Sequence, residues 1–325
     1  MPEAGNVRTA PRPESRSSAV LAGGGDTCVS MLRLRAKTLP GQTAFTFLID
    51  GEQEGESISY GELDRRARSY AAVLQSHAVQ GDRALLIFDS GIRFIEAFFG
   101  CLYAGIVAVP VYPPGSRKFL PKLQGIAAVS GAAAVLTDQD TYSRAQPLLS
   151  DAQEIASLPW VIVDSLRGGF ESAWHAPEIS PSSLAFFQFT SGSTSDPKGV
   201  MVTHANLLYN LEDMATSWFR YWEGGRVVTW LPAFHDMGLI SGLLLPVYTS
   251  MPCYTMTPAA FIQRPVRWLR AISRYQATHS VAPNFAFDLC VRKVASDQRA
   301  ELDLSHWIMA GNGSEPVQNG TLKRF

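Results

Sequence analysis

The chain has 325 residues, 46% of them apolar and 18% charged, with a formal net charge of −1. Such a length allows about two domains, and the composition is that of an ordinary globular protein with a large core. A near-neutral charge with no basic stripe gives no electrostatic support for a nucleic-acid partner. The four scattered cysteines (Cys28, Cys101, Cys253, Cys290), with no CxxC pair, argue against a disulfide framework or a zinc site and fit a reducing, cytoplasmic setting.

Residues 1–26 are rich in Pro, Arg, Ser and Gly and are expected to form a flexible leader. Glu3, Glu14 and Asp26 contradict a transit peptide, and the apolar core of a secretory signal is missing. From residue 57 the pattern alternates. Ser59 and Glu62 stand at capping-box spacing ahead of a helical stripe of Leu63, Ala67, Tyr70, Ala71, Val73 and Leu74. "RALLIFD" then reads as a short buried strand. The stretch "FIEAFFGCLYAGIVAVPVYPP" (94–114) approaches the length of a membrane span. Glu96 inside it, Gly105 breaking it and Pro110 ending its β-branched run favour a buried helix, a glycine turn and a buried strand, so no transmembrane segment is expected. "AAVLTD" and "WVIVD" are two more strands, and the Gly/Ser/Pro-rich 166–183 is a linker. Strands apolar on both faces and alternating with helices predict helix-covered, mostly parallel sheets. The division expected is a first α/β subdomain over 27–183 and a second over 184–325.

In the second part "LAFFQFT" (184–190) and "GVMVT" (199–203) are strands, and Thr203 caps a helix running to about Trp218. "RVVTWLP" (226–232) is a strand ended by Pro232, and "FHDMG" leads into the apolar helix "LISGLLLPVY". An amphipathic helix over 264–277 shows Val266, Leu269 and Ile272 on one face. "THSVAP" is strand-like, and a final helix has a stripe of Phe285, Leu289 and Val294. Between the first two of these strands lies "TSGSTSDPKG". Its hydroxyls and backbone N–H groups suit a polyanion, its glycines permit close backbone approach, and Lys198 adds a mobile positive charge stiffened by Pro197. The same residue types also make ordinary turns. The order differs from a P-loop, because here the lysine precedes the glycine and a strand follows. His235 and Asp236 are adjacent, which lacks the convergent spacing of a metal site, and Asp236 alone would serve as a helix cap.

"FTSGSTSDPKGV" resembles the phosphate-binding signature of the adenylate-forming superfamily. "WLPAFHDMGLISGLLLPVY" and "NGSEPV" (312–317) resemble its His motif and adenine-bordering segment. "FHDMGLI", "VAVPVYPP" and "FIQRPVRWLRAISRYQATHSVAPNFAFDLC" resemble the fatty-acyl-AMP ligases in particular. The resemblance covers roughly 27–325. It implies an αβαβα fold of two helix-covered, mostly parallel sheets, and conversion of ATP and a long-chain fatty acid to acyl-AMP and pyrophosphate, with Mg²⁺ accompanying the nucleotide. The acyl group would pass to an acyl carrier protein of polyketide, nonribosomal-peptide or lipid biosynthesis. By the same resemblance Thr190, Ser191, Gly192, Ser193, Thr194, Lys198 and Gly199 would hold the β- and γ-phosphates. His235 and Asp236 would lie beside the carboxylate and α-phosphate, His235 and Lys198 being the catalytic pair. Gly313, Ser314, Glu315 and Pro316 would line adenine. A long acyl chain needs an apolar wall, each buried methylene contributing about 0.8 kcal/mol. Trp230, Met237, Gly238, Pro283, Asn284, Phe285 and Phe287 are its candidates.

The family's aromatic-Gly-x-x-Glu segment, ribose-binding Asp, hinge and lysine-bearing C-terminal domain have no counterpart in these residues. The fold is therefore expected to be incomplete at its C-terminus. Two alternatives stand beside the ligase: a non-catalytic fragment that binds nucleotide or acyl chain, and a CoA ligase.

Overall fold

The computed structural model describes residues 25–89, 91–189, 197–218 and 224–325. Its strands form two six-stranded sheets. In chain order they are β1 (Thr43–Ile49), β2 (Gln53–Ser59), β3 (Arg83–Ile87), β4 (Val107–Val111), β5 (Ala132–Thr137), β6 (Trp160–Ile162), β7 (Leu184–Phe189), β8 (Gly199–Thr203), β9 (Val227–Thr229), β10 (Cys253–Thr255), β11 (His279–Pro283) and β12 (Met309–Gly313). One sheet has the order β6-β5-β3-β4-β7-β8 and the other β12-β11-β9-β10-β1-β2. All neighbours are parallel except the hairpins β7–β8 and β1–β2, each at a sheet edge.

The sheets do not follow the expected division at 183/184. The early strand β1 pairs with β10 (Phe45 opposite Cys253), and the late strand β7 joins β4 (Ala108 opposite Phe186). Each sheet therefore draws strands from both sides of the boundary. Parallel pairing needs long crossovers, so chain order and sheet order separate. The hairpin β1–β2 and the helix Cys28–Thr38 precede the point at which the sequence pattern becomes regular; Thr27 caps that helix by accepting from Ser30 N at 3.1 Å. Residues 1–24 lie outside the described residues.

The helix starts are set locally. Ser59 Oγ accepts from Glu62 N at 3.3 Å at the head of Tyr60–Leu74. Glu62 does not complete the box, because its carboxylate is taken by Arg65 and Arg66. Thr203 and Asn206 make a reciprocal capping box for His204–Ser217. The membrane-length stretch resolves as the helix Ile92–Ala104, a left-handed Gly105 (φ +72°) and β4. Among the described residues no helix is long and apolar enough to cross a membrane. Pro110 does not end the strand, which runs to Val111. The β4–β7 ladder is in register only at Ala108, so the missing N–H two residues later breaks no pairing on that side.

Helix Val266–Arg274 buries Val266, Leu269 and Ile272 as its periodicity predicts. Helix Asn284–Lys293 departs from its predicted stripe. Val294 is buried at its end, but Phe287 and Cys290 are its inward residues while Phe285 is 42% exposed. The reason lies in tertiary packing: Phe287 fits edge-on between Trp268 (5.4 Å) and Phe325 (5.1 Å).

Candidate functional site

Loops after several strands meet at the carboxyl ends of the two sheets, where open α/β sheets bind their ligands. Tyr112, just past β4, packs edge-to-face on Phe234 of the β9 loop at 5.0 Å. Gln188 on β7 donates from Nε2 to Phe234 O at 3.0 Å, tying the strand that leads into the hydroxyl-rich loop to the segment carrying His235. Gly199 pairs with Phe189, so Lys198 stands at this same end of the β7–β8 hairpin, exposed to solvent. Gly125 of the helix Leu120–Ser130 lies so close that a Cβ there would come within 3.0 Å of Pro197 Cγ, which braces the hairpin's return. Thr190, Ser191, Gly192, Ser193 and Thr194 lie outside the described residues.

His235 and Asp236 form a partly exposed pair, Nδ1 to Oδ1 2.7 Å. Asp236 Oδ1 also accepts from Met237 N at 2.6 Å, capping the π-helical segment Met237–Leu244 as a helix-cap reading of that aspartate expects. The hydrogen bond to Asp236 holds the His235 imidazolium above its ordinary 6.5, and the imidazole in turn holds the Asp236 carboxyl below its usual range. Met237 N also lies 3.2 Å from His235 Nδ1. With Nδ1–H turned to the carboxylate, the shorter bond to Asp236 is the one made, and Nε2 is left for a ligand. Gly238 is required by packing, since a Cβ would sit 2.1 Å from Pro232 O. That contact folds the His235 loop back against the end of β9.

The third and fourth loops follow β11 and β12. Gly313 ends β12, with Met237 Cε 3.8 Å from where its Cβ would be, and Ser314 adopts a left-handed φ of +62° that non-glycine residues rarely take. Ser314 Oγ touches Met237 Sδ at 2.9 Å, so this loop abuts the His235 loop. Pro316 is exposed beside it. Glu315 does something the sequence does not foretell: its Oε1 accepts from Phe285 N at 2.6 Å, at the start of the helix after β11. Asn284 there accepts from Gln318 N at 3.0 Å and from Asn312 Nδ2 at 3.4 Å. The half-exposed ring of Phe285 stands 6.1 Å edge-on from Trp230, which is buried and stacked on Phe261 at 4.0 Å.

Met237 and Gly238 thus follow His235 and Asp236 on one loop that Ser314 touches at Met237, Pro283 pairs with Gly313, Asn284 and Phe285 are hydrogen-bonded to Gln318 and Glu315, and Lys198 and Gly199 stand on the hairpin that Gln188 ties to the His235 loop. Phe287 does not join them. It is 2% exposed and belongs to the aromatic core, because a residue two positions from Phe285 on a helix points about 200° away. Tyr112 and Phe234 are neighbours of these loops that lie inside the quoted motif segments without being singled out, and Gln188 is one that lies outside them. Gln188 could have been noticed as a polar residue in the apolar strand "LAFFQF". Among the described residues no group of three His, Cys, Asp or Glu side chains could hold a metal ion.

The model of the AMP-binding enzyme family matches residues 32–325. The medium-chain-fatty-acid–[acyl-carrier-protein] ligase JamA of Moorena producens is 43% identical over 303 residues, covering 92% of this chain and 51% of that protein. The long-chain-fatty-acid–AMP ligase FadD23 of Mycobacterium tuberculosis is 36% identical over 306 residues, covering 91% and 52%. The crystal structure of a fatty acyl-adenylate ligase from L. pneumophila, in complex with acyl adenylate and pyrophosphate, superposes with a TM-score of 0.86 at 41% identity, over 92% of this chain and 52% of that one. The chain therefore spans about half the length of the relatives it matches. The two helix-flanked, mostly parallel sheets are the N-terminal architecture of adenylate-forming enzymes, and the chain belongs to the family of AMP-binding enzymes.

Proposed function

We propose that this chain carries the carboxylate-activating site of a fatty-acyl-AMP ligase. A fatty acid's carboxylate oxygen attacks the α-phosphorus of ATP, the bond from that phosphorus to the bridging oxygen breaks, and pyrophosphate leaves with the electron pair, giving acyl-AMP. The supporting observation is the convergence of the Lys198 hairpin, the His235–Asp236 pair and the Gly313–Pro316 loop at the strand ends. The fold is one whose relative holds acyl adenylate and pyrophosphate.

Lys198 with Thr190 to Thr194 and Gly199 neutralises the β- and γ-phosphates and stabilises the departing pyrophosphate. His235, fixed by Asp236 at Nδ1, presents Nε2 to oxygens at the reacting centre, and the carboxylate favours its carrying a proton there. Gly313, Ser314 and Pro316 border adenine, and Met237 and Phe285, the latter backed by the buried Trp230, receive the acyl chain. Mg²⁺ arrives as the counter-ion of the nucleotide; the described side chains do not build a cage for it, and no step here depends on one. The acceptor is an acyl carrier protein, the acceptor in the name of the Moorena relative, and on this reading it serves lipid, polyketide or nonribosomal-peptide synthesis. The four free, buried cysteines suit a reducing cytoplasm.

Calorimetric titration with Mg-ATP tests the nucleotide half of this reading. Saturable binding is expected, weakened in Lys198→Ala by the roughly 1.5–3 kcal/mol of a charge-assisted bond, which is on the order of 10- to 100-fold in Kd. Absence of ATP binding to the wild-type chain, or equal binding by the variant, would overturn it.

A further inference from the structure

The loop after β12 and the helix after β11 are bolted together at three points. Glu315 Oε1 takes the Phe285 N–H at 2.6 Å, Asn284 Oδ1 takes the Gln318 N–H at 3.0 Å, and Asn312 Nδ2 reaches the same Asn284 oxygen at 3.4 Å. Asn284 is 7% exposed, and its Nδ2 donates to Thr321 Oγ1 at 3.4 Å, so its side chain is held by three partners. Within this frame Ser314 keeps its left-handed φ of +62°, a conformation that persists only where its surroundings enforce it.

One side of the clamp is the segment that borders the nucleotide, and the other carries Phe285, the exposed aromatic edge-on to Trp230 on the acyl side. The first N–H groups of a helix have no partner within it. Glu315 Oε1 accepts from one of them, that of Phe285, and this fixes where the helix begins and where the Phe285 ring stands.

We infer that Glu315 is a positioning residue and a determinant of acyl selectivity: it acts through the Phe285 N–H, so that ordering of the 313–318 loop by nucleotide also sets the wall met by the acyl chain. The inference rests on the fatty-acyl-AMP reading and deepens it by making the two halves of the site thermodynamically coupled. By linkage, nucleotide and long-chain acid then raise each other's affinity by the same factor.

The test uses non-hydrolysable acyl-sulfamoyl adenosines carrying acetyl or dodecanoyl chains, titrated into wild type, Glu315→Ala and Glu315→Gln. The wild type binds the dodecanoyl compound more tightly. In Glu315→Ala affinity for the dodecanoyl compound falls about fivefold further than affinity for the acetyl compound, the low end of ordinary coupling between sites. Glu315→Gln, whose amide oxygen still accepts from Phe285 N, retains the preference. Equal loss for both compounds in Glu315→Ala would mean that Glu315 serves adenine directly, and an unchanged preference would mean that the clamp is idle; either overturns the inference. Failure of the wild type to bind either compound would instead remove the underlying reading, and the inference with it. Hydrogen exchange on the wild type needs no variant. ATP alone should protect the first turn of the 284–293 helix, and exchange there unchanged by ATP contradicts the coupling.

Discussion

Asp236 occupies two hydrogen-bond roles with one oxygen, taking the Met237 N–H and facing His235 Nδ1. The pair is half-exposed, so solvent screens it and its effect on stability is small. Its effect on protonation is the useful one. Because the folded His235 is raised above 6.5, its stabilising contribution is complete below that value and is lost as pH rises through the elevated folded one. Asp236→Asn removes the carboxylate, and the His235 titration followed by NMR should move down towards 6.5. An unchanged midpoint would show that Asp236 serves only as the cap of the segment behind it. The cap was legible in the sequence, where an aspartate precedes an apolar helical run. The coupling of Glu315 to Phe285 was not. The two residues are thirty positions apart, and only parallel pairing of β11 with β12 brings their loops side by side.

At the scale of elements, the first helices are joined by buried charge. Glu96, fully enclosed in the helix Ile92–Ala104, accepts from Tyr70 OH at 2.6 Å and pairs with Arg66 and with Arg167, the latter at 3.0 Å. Arg66 also meets Glu56 and Glu62, which brings β2, two helices and the 166–183 segment into one network. A buried charge stays in place only while its partners do. Glu96→Ala leaves the guanidinium groups of Arg66 and Arg167 short of a counter-charge, and denaturant unfolding should show a loss of about 3–5 kcal/mol; a loss under about 1 kcal/mol would mean that Glu56 and Glu62 suffice. Local chemistry announced most of these elements. The Ser59 and Thr203 caps, Gly105 and the apolar runs of β3 to β9 each carry a short-range signal. Strand β2 carries a weaker one, since "QEGESIS" is polar and lies at a sheet edge. The stripe of the 284–293 helix was misplaced for the converse reason: two helical registers were apolar, and the Trp268–Phe325 cluster chose between them.

At the scale of the molecule, two buried histidines stand at the seams. His204 Nδ1 accepts from Cys28 N at 3.2 Å, joining the first turns of two helices, and His279 lies wholly buried on β11. Burial lowers both to about 4. A histidine depressed in this way binds its proton more readily when unfolded, so its contribution is present above about 6.5 and is lost as pH falls towards 4. Global stability should drop over that window by roughly 1 kcal/mol per pH unit for each histidine, and His204→Gln should flatten the slope. A flat profile between pH 6.5 and 4 would show that neither buried imidazole resists protonation. The class of fold was legible from alternation of strands and helices, but the distribution of strands between sheets was not, because β1 and β10 pair across some two hundred intervening residues.

Incubation of the purified chain with Mg-ATP and acetate, dodecanoate, hexadecanoate or benzoate, with acyl-AMP read by mass spectrometry, bears on all three scales at once. Activation of fatty acids at this site predicts an acyl-adenylate signal that rises from acetate to the long acids and falls by about 10²-fold or more in Lys198→Ala, as when a single charge-stabilising donor is removed. No adenylate with any acid, from a folded chain that still binds ATP, would contradict the claim that these residues suffice to activate the carboxylate.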